Sequence, residues 1–345
     1  TSGEAGAAAG DGVRDRAGGA ASGAATGAPA GARRMPSRAH PADYVFLMRP
    51  MILIPVWTFF LLGARHGAST GALAAEAPPL LAGLLSFTAL LGAVYIANQI
   101  ADRETDRVGG KLFLISSGVI SIRAAWIEAA FLTALSFVVA IAFLPRPFIA
   151  ILAASLALGA AYSLEPARLK RRPALDVLAN AAGNGVLNTL AGWVAVGAPL
   201  AGWEALLPYP FAVASVHLAT TLADREADKR TGLRTSGVAL GERRGLVLAA
   251  CLMAASVLAA WLVKNGPALA ASILSAPFFL APALDAKKTP PGRVLLPAKA
   301  ATLVFSVVAG FLFPAYVPFL VAAIAATRIY YAKRFGISYP SLGSA

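Results

Sequence analysis

The phrase ADRETDR at residues 101–107 returns as ADREADK at 223–229, with five of the seven positions identical. The chain carries only 17 acidic residues, and these two heptapeptides hold six of them. With its lead-in ANQI, the first phrase sets Asn98, Asp102 and Asp106 four residues apart; the second sets Asp224 and Asp228 at the same interval. Residues at i, i+4 and i+8 share one face of a helix, and like charges at that spacing weaken the helix that carries them. Such a cluster calls for a cation. Two of these helices face to face would gather four carboxylates and one carboxamide. Only oxygen donors are offered, which suits a hard cation, Mg²⁺ ahead of Ca²⁺, and Mg²⁺ commonly bridges a few carboxylates to substrate phosphates. Asp102, Asp106, Asp224 and Asp228, joined by Asn98, are the expected metal ligands, and the four aspartates the expected catalytic centre. Glu104 and Glu226 lie about 200° round the helix and point elsewhere, where Arg103 and Arg225 can pair with them. Each phrase alone would also read as a solvated, charge-paired helix end. Its duplication at matching depth argues for function, because acids in membrane segments are expensive.

Further polar residues interrupt apolar stretches. Asp176, Asn180, Asn184 and Asn188 recur every fourth residue, one polar stripe that either cross-links helices or lines a substrate cavity. His217 stands two turns before Asp224 on the same face, as a ligand or as hydrogen-bonded packing. Arg49, in LMRPM, sits at the mouth of the first apolar run, to bind an anion or to anchor the helix at the interface. Lys111, Arg168 and Lys170 occupy connections on the side of the acidic phrases, where basic groups can cradle phosphate oxygens. The ordinary bias of cytoplasmic loops toward Lys and Arg would place them there too.

The elements that must hold these residues are membrane helices. The chain is 58% hydrophobic and 14% charged, with mean hydropathy +0.68, against about 25% charge in soluble domains. Ten runs approach the roughly 20 apolar residues that a span needs: 44–64, 80–101, 123–144, 147–163, 174–196, 206–223, 245–263, 267–284, 296–312 and 314–331. With the N-terminus inside, only Arg65, Arg146 and Lys264 fall outside, so 27 of the 30 basic residues share one face. That distribution accounts for the +13 net charge through anionic lipid and makes a nucleic-acid partner unnecessary. Both acidic phrases then end helices on the cytoplasmic face, four helices apart, as in a parallel internal repeat. The lone cysteine, Cys251, excludes a disulfide framework and reads as core filler. Residues 1–40 are Gly/Ala-rich and read as a disordered lead-in, with Met35 as a natural start; 41–334 form the membrane domain and 335–345 a short tail.

NQIADRETDR, read as NxxxDxxxD, the later DxxxD, and YSLEPARLK between them resemble the UbiA superfamily of intramembrane prenyltransferases across roughly 44–334. The resemblance implies an all-α polytopic membrane bundle of nine to ten transmembrane helices, two four-helix pseudo-repeats around a central cavity. It implies Mg²⁺ held by the two motifs, a prenyl diphosphate bound through it, and prenyl transfer to an acceptor, usually aromatic, within the lipid bilayer. Asn98, Asp102 and Asp106 match the first motif, Asp224 and Asp228 the second. Two departures stand out: Gln99 follows Asn98 where many members have Asp, and Pro166 stands four after Tyr162 where the family has Lys. The nearest basic residues are Arg168 and Lys170, and Tyr162 remains a candidate for substrate binding. The expected location is the bacterial plasma membrane with the site on its cytoplasmic face. A cation- or proton-coupled transporter would also use intramembrane acids, although near the midplane, and a prenyl diphosphate cyclase of the same family is a further alternative.

Overall fold

The computed structural model describes residues 38–68, 77–108, 114–284 and 294–339; residues 1–37 of the lead-in assigned to 1–40, Lys111 and the end of the tail lie outside them. Every regular element among the described residues is helical. Proline at the first or second helical position opens several helices, where its missing N–H removes nothing: α1 (Pro41–Leu47), α2 (Pro50–Gly67), α5 (Arg146–Ser163) and α8 (Pro208–Ala223). His40 caps α1 and the Asp43 carboxylate answers from its first turn, while Ser121 caps α4 (Ile122–Phe143) through the Ala124 N–H. The sequence predicts one run over 44–64. The chain instead bends by 50° between α1 and α2, with Arg49 in the left-handed region at φ 60°. Pro50 explains the break, since the residue before proline is driven out of the helical basin.

Helix α3 (Ala77–Val108) is 32 residues long, about 48 Å at 1.5 Å per residue, against a hydrocarbon core of about 30 Å. It is longer than a perpendicular span needs, and the first acidic phrase occupies its last two turns. The polar stripe runs along one unbroken path: α6 (Leu175–Asn180), a π-helical turn over Ala181–Leu187, then α7 (Asn188–Ala195). α8 ends at Ala223 and the short α9 (Arg225–Arg230) follows. α10 (Ser236–Leu262) starts nine residues before the predicted run at 245 and contains a break at Gly241. α11 (Gly266–Leu284), α12 (Leu296–Leu312) and α13 (Tyr316–Phe335) complete the bundle. Among the described residues, six helices are long and apolar enough to cross a membrane, seven with the bent α1–α2 pair.

The tightest pairings are α8 on α10, α3 on α4, α2 on α7 and α10 on α11. α2 meets α7 through a reciprocal glycine contact. A Cβ on Gly63 would lie 1.9 Å from the Thr189 carbonyl oxygen, and one on Gly192 would lie 1.8 Å from that of Phe60. Such close backbone approach is how membrane helices gain packing without a hydrophobic drive between them. Phe60, Phe87, Phe148, Phe279, Phe305 and Tyr209 fill the core, while Phe131, Ile141, Phe143 and Phe311 are exposed on the outside, the inversion expected of a lipid-facing surface. Cys251 is exposed with Val247 and Leu248 on the outer face of α10, which corrects its expected core position. Val247, Leu248 and Cys251 share the face of α10 turned to lipid, while Ala249, Ala250 and Met253 pack into the core. At the other end of the chain, fully buried Asp43 accepts from Arg334 at 2.8 Å and Tyr330 at 2.7 Å, and Phe46 stacks on Tyr330. This clasp fixes α1 to α13.

Candidate active site

The first phrase lies within α3, and the loop after α5 folds back over it. Arg168, left-handed at φ 35°, opens a single 3₁₀ turn, Leu169–Arg171, which carries Lys170 back to α3. The Lys170 ammonium donates to Asn98 Oδ1 and Asp102 Oδ2, each at 2.6 Å. Arg168 reaches the other Asp102 oxygen at 3.4 Å and the Ala101 carbonyl at 3.3 Å, and Ser163 donates to Asn98 Oδ1. Asp106, one turn further on, is buried. The Nε groups of Arg168 and Arg171 are buried without a hydrogen-bond partner, two donors still available to an anion. Burial, with Arg168 and Arg171 alongside, holds the Lys170 ammonium below the usual lysine range, against the pull of Asp102.

The second phrase straddles a helix end. Asp224 is exposed at the end of α8. Asp228, in α9, accepts from Thr235 at 2.9 Å. The sequence has both on one face, and the Asp228 N–H to Asp224 carbonyl bond preserves that i, i+4 relation across the junction. Arg103 pairs with Glu104 at 3.4 Å and Arg225 with Glu226 at 2.9 Å, as the spacing predicts. Asp102 from one phrase and Asp228 from the other both lie within electrostatic reach of the Tyr162 hydroxyl. Among the described residues, no three carboxylate, imidazole or thiolate groups converge to hold a metal ion by themselves. The donors nevertheless fit a hard cation. Asn98 Oδ1 and Asp102 Oδ2 already converge on one positive charge, and every candidate donor is an oxygen.

The polar stripe divides by depth. Asp176 is buried and accepts from both the N–H and the hydroxyl of Ser236, and so ties α6 to the start of α10. Asn180 hydrogen-bonds Tyr162 and His217 and accepts from Asn184. Asn188 is fully buried and donates to the Val56 carbonyl, a cross-link between α7 and α2. Two cavities lie in the middle. The first, about 110 Å³, runs from Asn98, Tyr162 and Ser163 down between Leu91, Val94 and Leu158. The second, about 210 Å³, lies between α2, α8 and α12, with His217 and Thr220 on its wall. Tyr95, Asn180 and Asn184 line both; Asn188 lines neither. Arg49 stands at the α1–α2 bend, within electrostatic reach of Tyr95 and Tyr331. Tyr95 and Ser163 belong to the site without having been singled out in the sequence. Tyr95 is three residues before Asn98, so helical spacing carried that signal; Ser163 next to Tyr162 had none.

Known proteins can be set beside this geometry. The chain is 34% identical over 126 residues to a bacteriochlorophyll synthase 34 kDa chain of Chloroflexus aurantiacus, covering 36% of this chain and 40% of that protein. It is 30% identical over 230 residues to a probable homogentisate phytyltransferase 2 of Oryza sativa subsp. japonica, covering 59% and 60%. The chain thus spans between two fifths and three fifths of the length of these relatives. A UbiA homologue from Archaeoglobus fulgidus, solved bound to GPP and Mg²⁺, superposes with a TM-score of 0.61 at 25% identity, over 77% of this chain and 98% of its own. The UbiA prenyltransferase family model matches residues 52–293. That match takes in both acidic phrases, the basic loop after α5, the lining of the first cavity and that of the second apart from α12: the chain belongs to the UbiA prenyltransferase family.

Proposed function

We propose that this protein transfers a prenyl group from a prenyl diphosphate to a ring acceptor inside the membrane, with Mg²⁺ as cofactor. One observation carries the reading. Asn98 and Asp102 share a cation at 2.6 Å with a basic loop, directly above an apolar cavity that begins at Asn98. A diphosphate seated there meets Lys170 and the unpartnered Nε donors of Arg168 and Arg171, while its prenyl chain enters apolar space. Asn98, Asp102 and Asp106 would hold Mg²⁺ from the first phrase, Asp224 and Asp228 from the second, with phosphate oxygens completing the coordination. Bound there, Mg²⁺ would offset the charge of the diphosphate leaving group. Lys170 and Arg168 share that charge, and the apolar walls keep water from the allylic cation. The Archaeoglobus relative binds GPP with Mg²⁺, and the two sequence relatives are named for chlorophyll-type and homogentisate substrates; these support the reaction class.

The same reading extends to topology. The 27 basic residues on one face support a cytoplasmic site, and α12 and α13, parted at Phe313–Pro314–Ala315, support a final pair of spans that completes nine to ten. The recurrence of the phrase on α3 and at the end of α8 supports two pseudo-repeats. The test is turnover of radiolabelled geranyl diphosphate by purified full-length protein in lipid nanodiscs, with a panel of ring acceptors, with and without Mg²⁺. Mg²⁺-dependent appearance of a prenylated acceptor is expected; transport of a cation with no chemistry would replace the reading with a transporter.

A further inference from the structure

The two central cavities differ in a way that separates two substrates, and the argument rests on the prenyl-transfer reading above. Both are lined by apolar side chains, and they share the wall of Tyr95, Asn180 and Asn184. The first opens at Asn98, which is bonded to Lys170. An anionic head group can be seated at its mouth. Among the described residues, no lysine, arginine, aspartate or glutamate lines the second. A phosphate or carboxylate buried there would have no counter-charge and would cost several kcal/mol. What the second cavity offers instead is neutral hydrogen-bonding groups: Thr58, Thr220, Thr302 and His217.

His217 has a defined state. The Asp176 backbone carbonyl can only accept, so the Asn180 group facing it at 3.3 Å is the amide nitrogen. The same nitrogen faces His217 Nε2 at 3.3 Å, and Asn180 Oδ1 is taken by Asn184. Nε2 therefore accepts, and the ring proton sits on Nδ1. The π-helical turn that follows Asn180 adds one residue to the turn and keeps Asn184 on the same cavity wall as Asn180, and such turns recur at functional sites.

We infer that the second cavity is the acceptor seat, that it takes the uncharged ring portion of an acceptor bearing hydroxyl or carbonyl groups, and that His217 with Asn180 sets its specificity. The prenyl chain occupies the first cavity, and the two substrates meet across the Asn180–Asn184 wall. A glycerol phosphate, whose charge would lie in the second cavity, is rejected.

The experiment uses the full chain in nanodiscs and two probes. Leu158 lines only the first cavity and Val216 only the second. With geranyl diphosphate and Mg²⁺, Leu158→Trp is expected to weaken binding at least tenfold, while Val216→Trp leaves it within about threefold. Val216→Phe repeats the test with a smaller filler should tryptophan compromise folding. A photoreactive hydroquinone is expected to label the peptide holding Val213 to Thr220, with labelling lost in Val216→Trp, reduced at least fivefold in His217→Phe, and unaffected by excess geranyl diphosphate or glycerol 1-phosphate. Equal effects of the two tryptophans on geranyl diphosphate, or displacement of the hydroquinone by it, would overturn the division into two seats while leaving prenyl transfer intact. If wild type binds no geranyl diphosphate, the parent reading falls, and this inference with it.

Discussion

The two acidic phrases are nearly the same in sequence and are not the same in structure. ADRETDR lies inside α3, where helix continues to Val108. Asp102 there is one quarter exposed and gripped by two cations from the loop after α5. ADREADK begins at the last residue of α8 and crosses into α9; Asp224 is exposed, and Asp228 meets the Thr235 hydroxyl. Arg225 turns toward Glu226 and Glu242. The difference teaches that a motif's spacing sets which residues can act together, while its surroundings set the charge state and freedom of each. A carboxylate held by two cations is pre-organised for a diphosphate. One at a helix junction can adjust as the substrate arrives.

The largest effect should separate the two phrases most sharply. Asp102→Asn keeps shape and removes the charge held by Lys170 and Arg168. Turnover of labelled geranyl diphosphate should fall by on the order of 10²–10³-fold and lose its Mg²⁺ dependence, while Asp224→Asn should cost less. Equal losses would mean that the two phrases are equivalent. Next comes Lys170. Lys170→Met should weaken geranyl diphosphate binding roughly tenfold or more, the scale of one lost charge-assisted contact. Its lowered pKa adds a pH signature. The ammonium is the acid form, so binding should decline as pH rises, and should do so below the usual lysine range. Lys170→Arg, whose guanidinium does not titrate there, should remove the decline.

A third prediction concerns stability. Asp176→Ala strands the Ser236 N–H and hydroxyl, and should lower thermal stability by roughly 1–3 kcal/mol, read from unfolding in detergent with geranyl diphosphate absent. Glu104→Gln and Glu226→Gln, which remove pairs with neighbouring arginines and Lys229 near the surface, should change turnover by less than about twofold. The smallest effect is expected of the double change Thr105→Ala and Arg107→Lys, which rewrites the first phrase as the second. If context governs, activity stays near wild type; a large loss would return the difference to the sequence.

Helical periodicity made much of the site legible. Asn98, Asp102 and Asp106 share a face because their spacing demands it, and the same rule aligns Asn180 and Asn184. The bend at Arg49 was hidden in an apolar run that read as one span, although Pro50 was there to break it. The stripe's division was not legible. Asp176, Asn180 and Asn188 belong to one four-residue repeat, yet one ties down α10, one lies on the wall shared by the cavities and one cross-links α2. Which neighbour arrives opposite each turn depends on residues far along the chain.

By itself, the amino-acid sequence determined a membrane-embedded helical protein, the oxygen-donor character of its acidic motifs and the recurrence of the phrase at two helix ends. These follow from local composition and a 3.6-residue period. Only the tertiary structure decided that Lys170 and Arg168 fold onto Asp102 rather than face lipid head groups. Only it decided that Cys251 meets the lipid, and that the central space is two cavities with one shared wall. Such outcomes turn on contacts between residues dozens of positions apart, and no local pattern encodes which of several equally apolar helix faces will close on one another.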